Sequence, residues 1–356
     1  MTLNVFEACA GIGTHRMGLT KAGIDMEVVG IAENDKFASK SYQAIHGEVK
    51  NYGDIRDIQI ESLPDIDLLT YTFPYADVLP DGFQTQGGTR NHVLSSIEAI
   101  IRQKRPKYLM VVNVTDLLQP RYHEGFLAWQ QTLAELGYTT ESKTYNATDM
   151  NIPQNRERVY CLSTLNNAPI HFPEAEVCEK RLKDILEEHV SDHYYISEDR
   201  YYRLLFNRHF DTFVEKVMMP TIEDTREKEK AHVIQVATCP SRRRENPQSY
   251  RTYDSDGIAP ALTTMQGGGQ TPQIIEKQFI TKQVRHMNDE WLTPASQVRY
   301  AVRKLTPKEC WRLMGCSDSD FAKAEAVNSE TQLYKQAGNA VVVDVLASIY
   351  KTFLNK

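Results

Sequence analysis

The 356-residue chain has no Cys-x-x-Cys pair; its six cysteines, Cys9, Cys161, Cys178, Cys239, Cys310 and Cys316, are scattered. Such spacing offers neither a zinc site nor a disulfide framework, so no metal is expected. No cysteine lies between Cys9 and Cys161, which leaves that span without a thiol nucleophile of its own. No apolar run approaches a membrane span, and Met-Thr-Leu-Asn-Val-Phe at the N-terminus lacks the basic start and apolar core of a signal peptide. The expected setting is cytoplasmic or nucleoid-associated, with no membrane partner. Positive charge is not in excess either: the formal net charge of −6 does not by itself suggest a nucleic-acid binder. Internal repeats and low-complexity tails are lacking as well.

What is present fits a soluble globular protein of one large and one smaller domain, with 41% hydrophobic and 25% charged residues. Residues 3–8 read as a strand, followed by the glycine turn Ala10-Gly11-Ile12-Gly13-Thr14 and an amphipathic stretch over 15–22. Glycines allow close backbone approach to a ligand, and a helix N-terminus adds free N–H groups. A second strand over 26–31 runs into Glu33, an acidic residue well placed for a ribose diol. A helix is expected over 36–45, and a short third strand ending at Gly53-Asp54-Ile55. The fourth strand, Leu68-Leu69-Thr70-Tyr71, feeds the loop Thr72-Phe73-Pro74-Tyr75-Ala76-Asp77, where an open α/β sheet places its chemistry. A helix over 93–103, a fifth strand over 107–114, a helix over 124–136 and strands near 139–147 and 158–164 follow. This alternation predicts an α/β, largely parallel, doubly wound sheet with helices on both faces.

From about 166 the rhythm changes to short helical patterns (180–188, 198–207), short strands (231–237, 273–282) and irregular loops. Arg242-Arg243-Arg244 and Arg251 stand in a Gly/Pro/Ser-rich region, and Gly267-Gly268 belongs to a glycine triplet suited to close backbone approach. An arginine triplet is as often a solvated loop as a nucleic-acid contact. Helical periodicity returns over 306–314 and 332–353, broken at Gly338-Asn339.

Six blocks, in order, resemble the DNA cytosine-5 methyltransferase family: Phe6–Gly13, Glu33–Lys36, Gly53–Ile55, Ile152–Tyr160 with its Gln154-x-Arg156-x-Arg158, Arg303–Gly315, and Gln336–Val341. A segment from Tyr253 to Thr264 is similar to one found before the recognition loops of many members. The resemblance spans nearly the whole chain. It implies an S-adenosylmethionine (SAM) domain of Rossmann-like fold, formed by residues 1–165 and 325–356, and a smaller mixed target-recognition domain over 166–324. Duplex DNA would lie between them, with a cytosine flipped into the pocket. It further implies cofactor contacts from Phe6, Ala10, Gly11, Gly13, Glu33, Asp54, Ile55 and Asn339. Arg156 and Arg158 would hold the flipped base and its phosphate, the bland alternative being a structural salt-bridge pair. Arg90, Arg242, Arg243, Arg244, Arg251, Gly267 and Gly268 would meet DNA.

The departures concern the chemistry. Where the family carries Pro-Cys-Gln, with the Cys as nucleophile, this chain has Pro74-Tyr75-Ala76; where it carries Glu-Asn-Val, this chain has Val112-Asn113-Val114. A phenol, with a reference pKa of about 10 against about 8.5 for a thiol, is a poor substitute and a bulkier one. Cys9 and Asn34 stand where aromatics commonly stack on adenine. The leading expectation is a pseudoenzyme that binds duplex DNA and SAM without C5 methyl transfer, in a regulatory or recognition role. As an alternative, Thr72-Phe73-Pro74-Tyr75 resembles the Ser/Asp-Pro-Pro-Tyr motif of DNA amino-methyltransferases, which would make Thr72, Pro74 and Tyr75 catalytic for N4 methylation. A third reading pairs the chain with an active methyltransferase as its partner subunit.

Overall fold

The computed structural model describes residues 2–78, 93–165, 168–197, 231–238, 251–265, 270–282 and 295–354. Its centre is a six-stranded sheet of β1 (Leu3–Ala8), β2 (Met26–Ala32), β3 (Leu68–Tyr71), β4 (Tyr108–Val114), β5 (Tyr138–Asn146) and β7 (Glu157–Leu165), in the order β2-β1-β3-β4-β7-β5. β2, β1, β3 and β4 run parallel, while β7 is antiparallel to both β4 and β5.

The alternation of side chains along a strand divides the core in two. Val5, Leu68, Met110, Val112 and Tyr160 face one cluster, while Phe6, Leu69, Leu109, Val111 and Cys161 face the other. On the first face lie α1 (Thr14–Lys21) and the C-terminal helix α8 (Val343–Leu354), which pack on each other. On the second lie α3 (Val93–Lys104) and α4 (Pro120–Glu135), contributing Ile97, Ile101, Phe126 and Trp129. Burial on both faces explains why β3 and β4 read as continuous apolar runs.

α2 (Lys36–His46) starts at Asp35, whose carboxylate accepts the N–H groups of Phe37 and Ala38. The chain returns to the large sheet through α5 (Pro307–Arg312), α6 (Asp318–Glu325) and α7 (Glu330–Asn339). A Thr306–Glu309 capping box opens α5, and Glu309 also takes a bidentate bond from the fully buried Arg303. By length and composition Glu330–Leu354 would cross a membrane, yet 61% of its most apolar window is buried and the chain breaks between α7 and α8. It is the core of the fold.

Beyond the large sheet, β9 (Arg251–Asp254), β11 (Gln273–Lys282) and β12 (Ala295–Lys304) join β8 (Gln235–Thr238) in a four-stranded sheet. A second link is the two-residue pairing of β6 (Gln154–Asn155) with β10 (Ala259–Pro260).

Two expectations need correction. The third strand is only a single parallel bridge, Ile31 to Asn51, because Gly53 turns the chain at φ +76° into a 3-10 turn at Ile55–Asp57. The helix over 180–188 is a 3-10 turn, Leu182–Ile185. Residue 324 lies inside α6, which packs on α2, and Trp311 of α5 is buried and bonds the Leu333 carbonyl. The helix over 198–207 lies outside the described residues.

Candidate cofactor pocket and active-site loop

The strand order reverses at β1: β2 lies on one side, β3 on the other. A crevice opens at the carboxyl ends of these strands, as expected at such a switch point. It holds a cavity of about 330 Å³ lined by Cys9, Ala10, Gly11 and Ile12 after β1, Glu33 and Asp35 after β2, and Thr72 after β3. Lys335, Asn339, Ala340 and Val341 of the C-terminal return close it. A smaller cavity of about 70 Å³ adjoins it through Cys9 and Glu33, lined also by Asn34, Gly53, Asp54, Ile55 and Arg56.

The glycine turn is built for close approach. Gly11 and Gly13 sit at φ +58° and +80°, where L side chains are strained, and a Cβ on Gly13 would overlap the His46 ring. Gly13 therefore shapes the turn from below, without lining the cavity. Phe6 likewise does not line the cavity: it is fully buried, its ring 5.7 Å from that of Tyr52. Glu33 is held by the N–H groups of Gly11 and Asp35, both 2.7 Å away, and burial raises its pKa. That leaves lone pairs on a fixed, desolvated carboxylate facing the cavity, suited to a ribose diol.

The purine end differs from expectation. Asp54 takes a two-pronged bond from Arg56, at 2.8 and 2.5 Å, and another from Asn34 at 3.0 Å. The Arg56 guanidinium holds the carboxyl well below the usual carboxylate range. Cys9, at φ +56°, sits at the junction of the two cavities, with its thiol pushed up to about 12 by burial and the carboxylates of Glu33, Asp54 and Asp77. It stays a thiol at neutral pH and is no replacement nucleophile.

The loop after β3 is held firmly at its root. Phe73 is buried against Trp129, and its carbonyl accepts the Asn113 Nδ2–H at 3.0 Å. Asn113 Oδ1 in turn accepts the Val114 N–H. Pro74 closes a turn by accepting the Asp77 N–H, and Tyr75–Val78 forms a 3-10 turn. The Tyr75 side chain lies outside the described residues, as do Arg90, Arg242, Arg243, Arg244, Gly267 and Gly268.

Arg156 is committed inside the fold. It is 3% exposed, and its guanidinium donates to the carbonyls of Leu262, Gly338 and Ala340 at 2.8 to 2.9 Å. Nor does it form a structural salt bridge: among the described residues it meets no carboxylate. Arg158 is half-buried, opposite Val114 on β4, and donates to the Glu157 carbonyl. Burial pulls its pKa down. Arg251, at the start of β9, has a buried Nε without a partner. Sequence reasoning missed Lys335, which lines the cavity and bonds Asp35 at 2.7 Å; it precedes Asn339 by one helical turn, so the spacing carried a signal. It also missed His15, a buried ring bonded to the Tyr350 hydroxyl and held neutral, its pKa lowered to about 3 by burial.

A switch-point crevice with a glycine turn, an acidic residue on the next strand and a C-terminal helical lid defines a Rossmann-like methyltransferase fold. The family model for C-5 cytosine-specific DNA methylases matches residues 3–355, and the chain belongs to that family. It is 31% identical to the type II methyltransferase M2.ScrFI of Lactococcus lactis subsp. cremoris, covering 98% of each. It is also 29% identical to the type II methyltransferase M.HhaI of Haemophilus parahaemolyticus, covering 98% of this chain and 93% of that one. Among solved structures, the S. pombe Dnmt2 methyltransferase superposes with a TM-score of 0.64 at 18% identity, covering 99% of this chain and 98% of that one. The family uses SAM as methyl donor. The cavity volume lies within the range of small-ligand sites, and the turn and Glu33 fit the cofactor. SAM would supply an electrophilic methyl group there.

Proposed function

We propose that this chain binds duplex DNA and an adenosyl cofactor but does not carry out C5 methyl transfer, and that it acts as a recognition or regulatory protein. The observation that carries this reading is the loop after β3: Pro74-Tyr75 stands on a well-pinned scaffold where the family has its nucleophilic cysteine. Covalent activation of C6 needs a thiolate; the buried thiols of Cys161 and Cys316 are pushed up by burial, as is that of Cys9 by burial and nearby carboxylates. Val112, 3% exposed in an apolar cluster, offers no carboxylate to the ring edge of a base.

The residues carrying out the retained function are Glu33, Gly11, Ala10, Thr72 and Asn339 around the cofactor, with Asp54 and Ile55 at the purine end. Arg158 faces the base, and Arg251 and the neighbouring loops meet DNA. The boundary between the two domains falls near 305 instead of 324.

N4 methylation has one observation in its favour: Thr72 lines the cavity. The Phe73 carbonyl, the acceptor such a motif needs for the amine, is shared with the Asn113 amide and keeps one lone pair for that role. Mass spectrometry of nucleosides from mixed-sequence duplex incubated with protein and methyl-labelled SAM separates the readings. No label with DNA binding intact is expected; labelled 5-methylcytosine or N4-methylcytosine refutes the proposal and names the atom.

A further inference from the structure

Resting on this reading of a protein that binds both DNA and an adenosyl ligand, we infer that Gln154 and Arg156 form a latch coupling occupancy of the cofactor pocket to DNA binding by segment 251–265. Arg156 is then a positioning residue for both sites.

Gln154 and Arg156 stand two residues apart and grip Leu262 from both sides. Gln154 Oε1 accepts the Leu262 N–H at 3.1 Å, and Arg156 Nη1 donates to the Leu262 carbonyl at 2.8 Å. The other prong of the same guanidinium donates to Gly338, in the last turn of α7, and to Ala340, which opens the bend between α7 and α8. Asn339, Ala340 and Val341 of that bend line the cofactor cavity. Gly338 also packs so closely on Thr263 that a Cβ would overlap the Thr263 carbonyl.

One buried cation thus bonds both the pocket wall and the recognition segment. Its charge is met by carbonyls alone, and bonds to charged donors are the stronger and more geometrically demanding ones. A ligand that repositions the bend moves two of the three acceptors, and Leu262 shares the donor. Packed interiors transmit such shifts because they do not deform smoothly. By linkage the coupling runs equally both ways: DNA held by 251–265 favours the ligand-bound bend.

The test is the affinity for a mixed-sequence duplex, read by fluorescence anisotropy with and without saturating S-adenosylhomocysteine, for wild type and Arg156→Lys. Wild type is expected to bind DNA about tenfold tighter with the ligand, and Arg156→Lys to bring that ratio within about twofold of unity. A ratio that survives Arg156→Lys, whatever its thermal stability, makes Arg156 a static buttress and overturns the inference. So does a wild type that binds the ligand by calorimetry with no change in DNA affinity. Absence of ligand binding altogether identifies a failure of the pocket reading, and the coupling falls with it. Should Arg156→Lys not fold, hydrogen exchange on the wild type decides: ligand must protect the peptide containing Leu262 in the absence of DNA, and protection confined to the pocket walls refutes the latch.

Discussion

Glu7 offers a sharp test of the pocket's foundations. It is fully buried on β1, beneath the glycine turn, with its carboxyl accepting the Tyr42 hydroxyl at 2.5 Å and the Arg16 N–H at 3.0 Å. Burial pushes its pKa up to about 7 from 4.5, against the smaller opposing pull of those partners. The native state therefore holds a proton that the unfolded chain releases above pH 4.5. Stability from this group is complete below about pH 4.5 and is lost as pH rises through about 7. At about 1.4 kcal/mol per pH unit over a span of about 2.5 units, the loss is about 3 kcal/mol. Wild type alone would not display it, because buried His15 and His46, held neutral with pKa values of about 3 and 4, give an opposite slope below pH 6.5. The difference between Glu7→Gln and wild type removes those terms. Urea unfolding at half-unit steps from pH 4.5 to 8 should show the variant gaining stability over wild type progressively to about 3 kcal/mol, then levelling above pH 7. A flat difference curve refutes the buried, neutral Glu7.

Three further outcomes are expected. Glu33→Gln should weaken S-adenosylhomocysteine binding by about tenfold or more in calorimetry, since a charge-assisted bond contributes about 1.5–3 kcal/mol; unchanged affinity would remove Glu33 from the site. Arg303→Met should lower the unfolding free energy by about 3–5 kcal/mol in denaturant, because it strands the buried Glu309 carboxylate without its bidentate partner. The pair Tyr75→Cys with Val112→Glu should produce labelled 5-methylcytosine where neither change alone does; no product from the pair would place the block elsewhere, in the cofactor pocket or in base access.

Much of the fold was legible because its signals are local. The strands before the glycine turn, before Glu33 and before Thr72 are apolar runs with definite ends, and the break near Gly338 between two helices followed from periodicity. Where tertiary context decides, the sequence misled. Gly53 has the composition of a strand end, but its left-handed φ sends the chain into a turn. The stretch 180–188 alternates charge and apolar residues as a helix would, yet its backbone is drawn off: the N–H groups of Leu182 and Lys183 bond Gly257 and Ser255. Arg156 shows the limit most clearly. A motif gives residue type and spacing, and both Arg156 and Arg158 match; only burial reveals that one is spent on three carbonyls while the other keeps a freer guanidinium.

That division bears on what the chemistry has become. In the triplet on β4, Asn113 pins through the Phe73 carbonyl the root of the loop that carries Tyr75. Val112 and Arg158 project from one face, since Val112 pairs with Tyr160 and Val114 with Arg158 across the β4–β7 ladder. A carboxylate at 112 would stand diagonally beside that guanidinium, whose pKa is drawn down by burial against the smaller opposing pull of Tyr160 and the Asp116 carboxylate. Under the proposed reading, the lack of an acid at 112 removes a single carboxylate that would serve twice, meeting the base and orienting the arginine. What remains offers hydrogen-bond donors to a base or a phosphate, and under the proposed reading the site serves for binding.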